Sequence, residues 1–272
     1  MMSSQLAAAP IVSLPERATT RAFSYAPPTR LHYAQAQPFP HAMLRNAWSP
    51  ELLDACKAEI GRFADWDGEK DFYGSKKKRY CGDIERLPPS VVRLITEASS
   101  PAFLRWLMEL TGEPALLPDP YLEGGGIHQI VAGGFLKVHA DFNWNERLNL
   151  YRRLNLLLYL NRDWDSSWGG SLELWKQDMS RSVASVTPEF NTMVVFTTDD
   201  KSFHGHPRPL TCPAGVSRDS IALYYYSPIQ PAKNFKQRRI GTDYRPIAGD
   251  TFEYYDASLG ARLRNRLKRI IG

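Results

Sequence analysis

Arg153-Leu154-Asn155-Leu156-Leu157-Leu158-Tyr159-Leu160-Asn161 decides the fold class. In an extended strand side chains alternate between two faces, so Leu154, Leu156, Leu158 and Leu160 share one face and Asn155, Leu157 and Tyr159 the other. Four leucines in a row must pack against other apolar groups. An amide and a phenol on the opposite face suit the lining of a cavity. The segment predicts the wall of a small barrel with a site inside it.

Both flanks continue that texture, with short apolar runs broken by Gly, Asn, Asp and Pro. Strands are predicted over 126–131, 134–142, 153–161, 170–175, 182–187, 192–198 and 220–227. Earlier in the chain the period is helical. Ser49-Pro50-Glu51 has the form of a capped start, and Leu52, Leu53, Cys56, Ile60 and Phe63 recur on one helical face. Further helices are predicted over 90–98 and 101–110, the second ended by Thr111-Gly112. The fold class is mostly β with supporting helices: helical support over 49–112, a β core over 121–227, and one domain over 38–227. Residues 1–37, rich in Ala, Pro, Ser and Thr, read as a mobile arm. Residues 228–272 read as a loop and a final amphipathic helix over 257–271 packed on the core.

Composition is that of an ordinary globular chain of 272 residues, 43% hydrophobic and 23% charged. Much of the net charge of +5 sits in Lys76-Lys77-Lys78-Arg79 and over 262–269. Solvated faces explain such runs, with an anionic partner as the sharper reading. Three widely spaced cysteines argue against a disulfide framework or zinc knuckle and for a reducing compartment. No apolar run reaches the length of a membrane span, and no basic leader precedes the short apolar patch over 6–11, so a cytoplasmic protein is expected.

The chemistry starts in Gly133-Gly134-Phe135-Leu136-Lys137-Val138-His139-Ala140-Asp141-Phe142. On a strand, His139 and Asp141 point at one spot, which can hold a metal. A third donor must come from elsewhere. His32 and His41 lie in the arm or the lead-in strand and His128 precedes the motif strand, which leaves His204 and His206. Between Asp141 and His204 there is room for about five short strands. His204 is the choice. Two imidazoles and one carboxylate form the facial triad of non-haem Fe(II) oxygenases, with zinc hydrolases and cupin-like storage barrels still open. Downstream, the strand Arg218-Asp219-Ser220-Ile221-Ala222 puts Arg218 and Ser220 on one face. A guanidinium fork with a hydroxyl two residues on clamps a carboxylate, so a dicarboxylate could chelate the metal at one end and be held here at the other.

His139-Ala140-Asp141, His204 and Arg218-Asp219-Ser220 together resemble the Fe(II)/2-oxoglutarate-dependent dioxygenases. Tyr159-Leu160-Asn161-Arg162-Asp163-Trp164-Asp165, followed by Gly169-Gly170-Ser171-Leu172-Glu173-Leu174, is similar to their prolyl-hydroxylase branch. The resemblance covers roughly 38–227. It implies a double-stranded β-helix, or jelly roll, with His139, Asp141 and His204 on iron and Arg218 with Ser220 on the distal carboxylate of 2-oxoglutarate. It places Tyr159 and Asn155 among the cosubstrate contacts and makes dioxygen the second cosubstrate. An aspartate at 141, where related halogenases carry a small residue, implies hydroxylation over halogenation. The tyrosine-rich lead-in of animal prolyl hydroxylases is absent, and the insertion over 143–151 is distinctive.

The expected function is hydroxylation of a prolyl or other peptide residue, or of a small metabolite, with substrate contacts from loops over 121–128, 143–152 and 76–79. His206 is expected to touch substrate or cosubstrate, or to make a structural hydrogen bond. A catalytically inert metal-binding barrel is the rival from another class. A nucleic-acid demethylase is a third reading, carried only by the basic clusters; neither nucleic acid nor membrane is expected as a partner.

Overall fold

The computed structural model describes residues 22–24, 30–231 and 238–250. The chain enters through α1 (Arg30–Gln35) and β1 (His41–Arg45) and passes into α2 (Pro50–Arg62). Pro50 pre-sets the first turn of α2, and Ser49 Oγ accepts from the Leu52 amide at 3.3 Å, as the capped start required. A hairpin of β2 (Gly68–Phe72) and β3 (Ser75–Cys81) follows, then α3 (Pro89–Ala98) and α4 (Pro101–Thr111). Gly112, at φ 77, closes α4 in the left-handed conformation that costs a residue without Cβ nothing.

After the short β4 (Leu117–Pro118) the chain is nearly all strand: β5 (Gly126–Ala140), β6 (Trp144–Asn145), β7 (Leu150–Tyr159), β8 (Leu172–Trp175), β9 (Ser182–Val186), β10 (Thr192–Thr197), β11 (His204–His206), β12 (Ser217–Ser227) and β13 (Asp243–Tyr244). They pair antiparallel in the order β1-β10-β7-β12-β5-β11-β8-β9, a sheet that curls into the nearly closed barrel of a jelly roll. The runs 126–131 and 134–142 are one strand, β5, broken where Gly133 takes φ 79. A Cβ on Gly134 would lie 2.4 Å from Ile130 Cγ2 and 2.9 Å from two backbone oxygens, so only glycine fits there. The break lets a single strand pair with two different neighbours along its length. Its first half pairs with β12 and its second with β11.

The leucine face of β7 meets the helices, as its alternation required. Leu154, Leu156, Leu158 and Leu160 join Leu53 and Cys56 of α2, Leu94 of α3 and Phe103 of α4 in one cluster. Burying each leucine stabilises the fold by ~1.5–3 kcal/mol relative to exposure. The other face of β7 looks into the barrel, where Asn155 and Leu157 line a cavity.

The stretch 1–37, expected as a mobile arm, is anchored within its described residues. Phe23 is 1% exposed and packs edge-on against Trp48, Phe103 and Trp106, while Tyr33 Oη lies 2.8 Å from Thr197 Oγ1. Order starts before Pro38 because buried aromatic area outweighs the weak periodicity of the segment. The helix expected over 257–271 lies outside the described residues. Among the described residues no helix is long and apolar enough to cross a membrane.

Candidate active site

His139 sits near the end of β5, Asp141 just beyond it, and His204 opens β11; the β5–β11 ladder places His204 opposite His139. One ligand atom from each of the three lies within 4.8 Å of the others. Asp141 Oδ1 is 3.5 Å from His139 Nε2, and Oδ2 is 3.4 Å from His204 Nε2. Both Nδ1 atoms face backbone carbonyls, His139 that of Lys137 at 2.7 Å and His204 that of Ser202 at 2.9 Å. A carbonyl only accepts, so in the neutral rings Nδ1 carries the proton and Nε2 keeps the lone pair a metal needs. Burial, with His204 alongside, pushes the His139 pKa down and keeps the ring neutral. Burial opposes the charge on Asp141, yet the Arg152 guanidinium beside it prevails and holds its carboxyl well below the usual range.

Arg152 is a site residue that the alternation of β7 hides. In the ladder with β12, Tyr225 faces Leu154 and Tyr226 faces Arg152, so Arg153 is an extra residue in β7. This bulge carries Arg152 to the cavity side and leaves Arg153 to pair with Glu113. Arg152 Nη2 lies 3.0 Å from Asp141 Oδ2, and its Nε and Nη2 donate to Asn155 Oδ1 at 2.8 and 2.6 Å. Its guanidinium lies 3.4 Å from the centroid of the Tyr224 ring. Asn155, expected from the resemblance to touch cosubstrate, lines the cavity and donates from Nδ2 to Asp141 Oδ2 at 2.6 Å. Its carbonyl oxygen is taken by Arg152 and Thr198. It orients the carboxylate.

The other end of the cavity belongs to β12 and the β2–β3 hairpin. Arg218 and Ser220 both line it. Arg218 Nε donates to the Gly170 carbonyl at 2.7 Å and Nη2 to Tyr159 Oη at 3.2 Å. Tyr159 is fully buried, and burial raises its pKa, so the phenol stays protonated. A Cβ on Gly170, at φ 76, would lie 3.1 Å from Arg218 Cδ, which explains the second glycine of the Gly169-Gly170 pair.

Three further groups here were not read as site residues or were read only loosely. His206 is buried, with neither ring nitrogen hydrogen-bonded among the described residues, and burial beside Arg218 and Lys78 holds its pKa well below the usual value. His128 lines the same wall and is likewise neutral, through burial and the charge of Lys78. Lys78 is 8% exposed, and burial pushes its pKa down to about 7, with Lys70 adding to the effect. The run Lys76-Lys77-Lys78-Arg79, read as a solvated face, is thus split. Lys76, Lys77 and Arg79 face solvent, while Lys78 turns inward past a register break at Lys77, which has φ 50.

The donor set is that of a non-haem Fe(II) centre. A cavity in which Asp141 is the only carboxylate among the described lining residues, which include Arg152, Arg218, Lys70 and Lys78, fits a dicarboxylate cosubstrate bound beside the metal. A jelly roll with this centre at one end of a cationic cavity defines a class: the metal-dependent oxygenases of the double-stranded β-helix fold. Residues 125–226 match the model of the 2OG-Fe(II) oxygenase superfamily.

Among curated proteins, prolyl 3-hydroxylase OGFOD1 of Mus musculus is 35% identical over 81 residues, which cover 28% of this chain and 14% of that relative. The match therefore spans a small part of the relative's length. Among solved structures, HygX from Streptomyces hygroscopicus, with nickel, 2-oxoglutarate and hygromycin B bound, superposes with TM-score 0.50 at 13% identity over 75% of this chain and 93% of its own. That likeness is one of fold. A prolyl 4-hydroxylase of Pseudomonas putida aligns with TM-score 0.45 at 17% identity, over 70% of this chain and 93% of its own.

Proposed function

We propose that the chain is an Fe(II)- and 2-oxoglutarate-dependent oxygenase that hydroxylates an unactivated C–H bond of a peptide residue or a small molecule. The observation that carries this reading is the convergence of His139, Asp141 and His204 within 4.8 Å, with both imidazoles already oriented by backbone carbonyls.

His139, Asp141 and His204 would hold the iron, and Arg218 with Ser220 the distal carboxylate of 2-oxoglutarate. Bound there, Fe(II) with 2-oxoglutarate and dioxygen supplies the oxidant, one oxygen atom going to the substrate and one to succinate, with loss of carbon dioxide. The chain's own residues position and exclude. Arg152 and Asn155 keep Asp141 ionised and pointed at the metal position. Tyr159 and the Gly170 carbonyl fix the guanidinium of Arg218 so that its fork is preorganised for a carboxylate. Apolar Ile130, Leu136, Leu157 and Leu172 also line the cavity and help keep bulk water from it. Three buried, free thiols, Cys56, Cys81 and Cys212, support a reducing compartment, and we place the protein in the cytoplasm.

The test is anaerobic loading with Fe(II) and then 2-oxoglutarate. A weak visible metal-to-ligand charge-transfer band is expected, followed by succinate release when oxygen is admitted. A folded, iron-loaded protein that shows neither would favour an inert metal-binding barrel.

A further inference from the structure

The β2–β3 hairpin carries two lysines that the reading above does not use. Lys70 and Lys78 are directly opposed across the antiparallel ladder, and both line the cavity. Like charges opposed across a ladder are destabilising, and a desolvated ammonium costs more still without a counter-ion. Lys78 nevertheless lies buried with no hydrogen bond or ion pair among the described residues. For Lys70 the described contact is with an aromatic face, its Nζ lying 5.1 Å from the centroid of the Tyr80 ring. Burial lowers the pKa of each, as expected of ammonium groups awaiting an anion.

The cavity already has a cation for the cosubstrate. Arg218 and Lys78 flank Ile130 in one register row, from β12 on one side and β3 on the other, roughly 10 Å apart at Cα from two strand spacings. The two cations therefore stand on one wall of the cavity, two strands apart. The charge count points the same way. Arg152 neutralises Asp141, and the two carboxylates of 2-oxoglutarate balance Fe(II). Arg218, Lys70 and Lys78 remain as an uncompensated positive excess.

We propose that Lys70 and Lys78 form a second anion site, which receives a carboxylate or phosphate group of the molecule to be oxidised. This rests on the oxygenase reading and narrows it: the substrate is an anion held by the hairpin while Arg218 holds the cosubstrate. Lys76, exposed on the same hairpin, supplies the control for general surface charge.

The experiment is calorimetric titration of the full chain, saturated with Ni(II) and 2-oxoglutarate, with malonate and with inorganic phosphate; neutral malonamide is the blank. At least one anion should bind, malonamide should not, and Lys70→Met/Lys78→Met should weaken the binding by about tenfold or more. Lys76→Met should leave it unchanged. Removing desolvated charges does not threaten folding, and circular dichroism checks that each variant is folded. Absence of binding by both anions would overturn the proposal, as would binding undiminished in the double variant, which would put the anion on the metal or Arg218. Titration of the Ni(II)-loaded variants with 2-oxoglutarate separates this proposal from the oxygenase reading. An affinity within about twofold of wild type is expected, whereas a loss of about tenfold or more would assign the lysines to the cosubstrate. Failure of the wild-type chain to bind 2-oxoglutarate at all would sink the oxygenase reading itself.

Discussion

The two ends of the cavity are built on opposite plans. At the metal end, each donor is held by a named bond: His139 by Lys137, His204 by Ser202, Asp141 by Arg152 and Asn155. At the far end, His206 has two unsatisfied ring nitrogens and Lys78 has no partner among the described residues. Arg218 stands between these styles, fixed on one side by Tyr159 and Gly170 and lining the cavity on the other. The difference teaches what each end waits for. The metal end is preorganised, so that binding an ion there costs little rearrangement, whereas the far end remains incomplete until an anion arrives.

The contrast can be broken most severely with His139→Ala, which should abolish stoichiometric iron binding, measured as metal retained after gel filtration, and turnover with it. Wild-type turnover in that variant would refute the metal assignment. Arg218→Ala should leave iron binding intact but weaken 2-oxoglutarate on the order of 100-fold, since a buried charge-paired contact is lost. The visible band then appears only at correspondingly higher cosubstrate. Arg152→Met should do the converse, lowering Fe(II) affinity by ~10–100-fold through the loss of Asp141's partner and leaving the 2-oxoglutarate KM nearly unchanged. Tyr159→Phe should give the smallest effect, a KM increase of about 2–10-fold from one lost hydrogen bond behind Arg218. If Arg152→Met and Arg218→Ala affected both ligands equally, the division between the ends would disappear.

What could be read from the chain follows the same division. The leucine stripe of β7 and the pairs His139/Asp141 and Arg218/Ser220 each follow strict alternation along one strand, and they were legible. Arg152 and Lys78 were not, because each lies beyond a local break in register that reverses the facing of the strand, the bulge at Arg153 and the left-handed Lys77. The hairpin β2–β3 was missed because its outward residues are charged, so no apolar period marks it. At three residues, β11 is too short for any period to show. Phe23 was misjudged for a different reason. A single aromatic in a weakly patterned segment can anchor it, and only the tertiary pocket of Trp48, Phe103 and Trp106 reveals that.

The pairing of His139 with His204 has a mechanical meaning as well. In the sheet order the short ladder between β5 and β11 joins β8 and β9 to the rest of the barrel, and its rungs include the two imidazoles we propose as metal ligands. An ion gripped by both is a clasp across that seam, tying together stretches of chain far apart in sequence. Iron loss would then unfasten the barrel as well as silence it. The inactive form would open locally at lower cost, expose β8 and β9 to proteases, and be the first to be cleared from a mixed population.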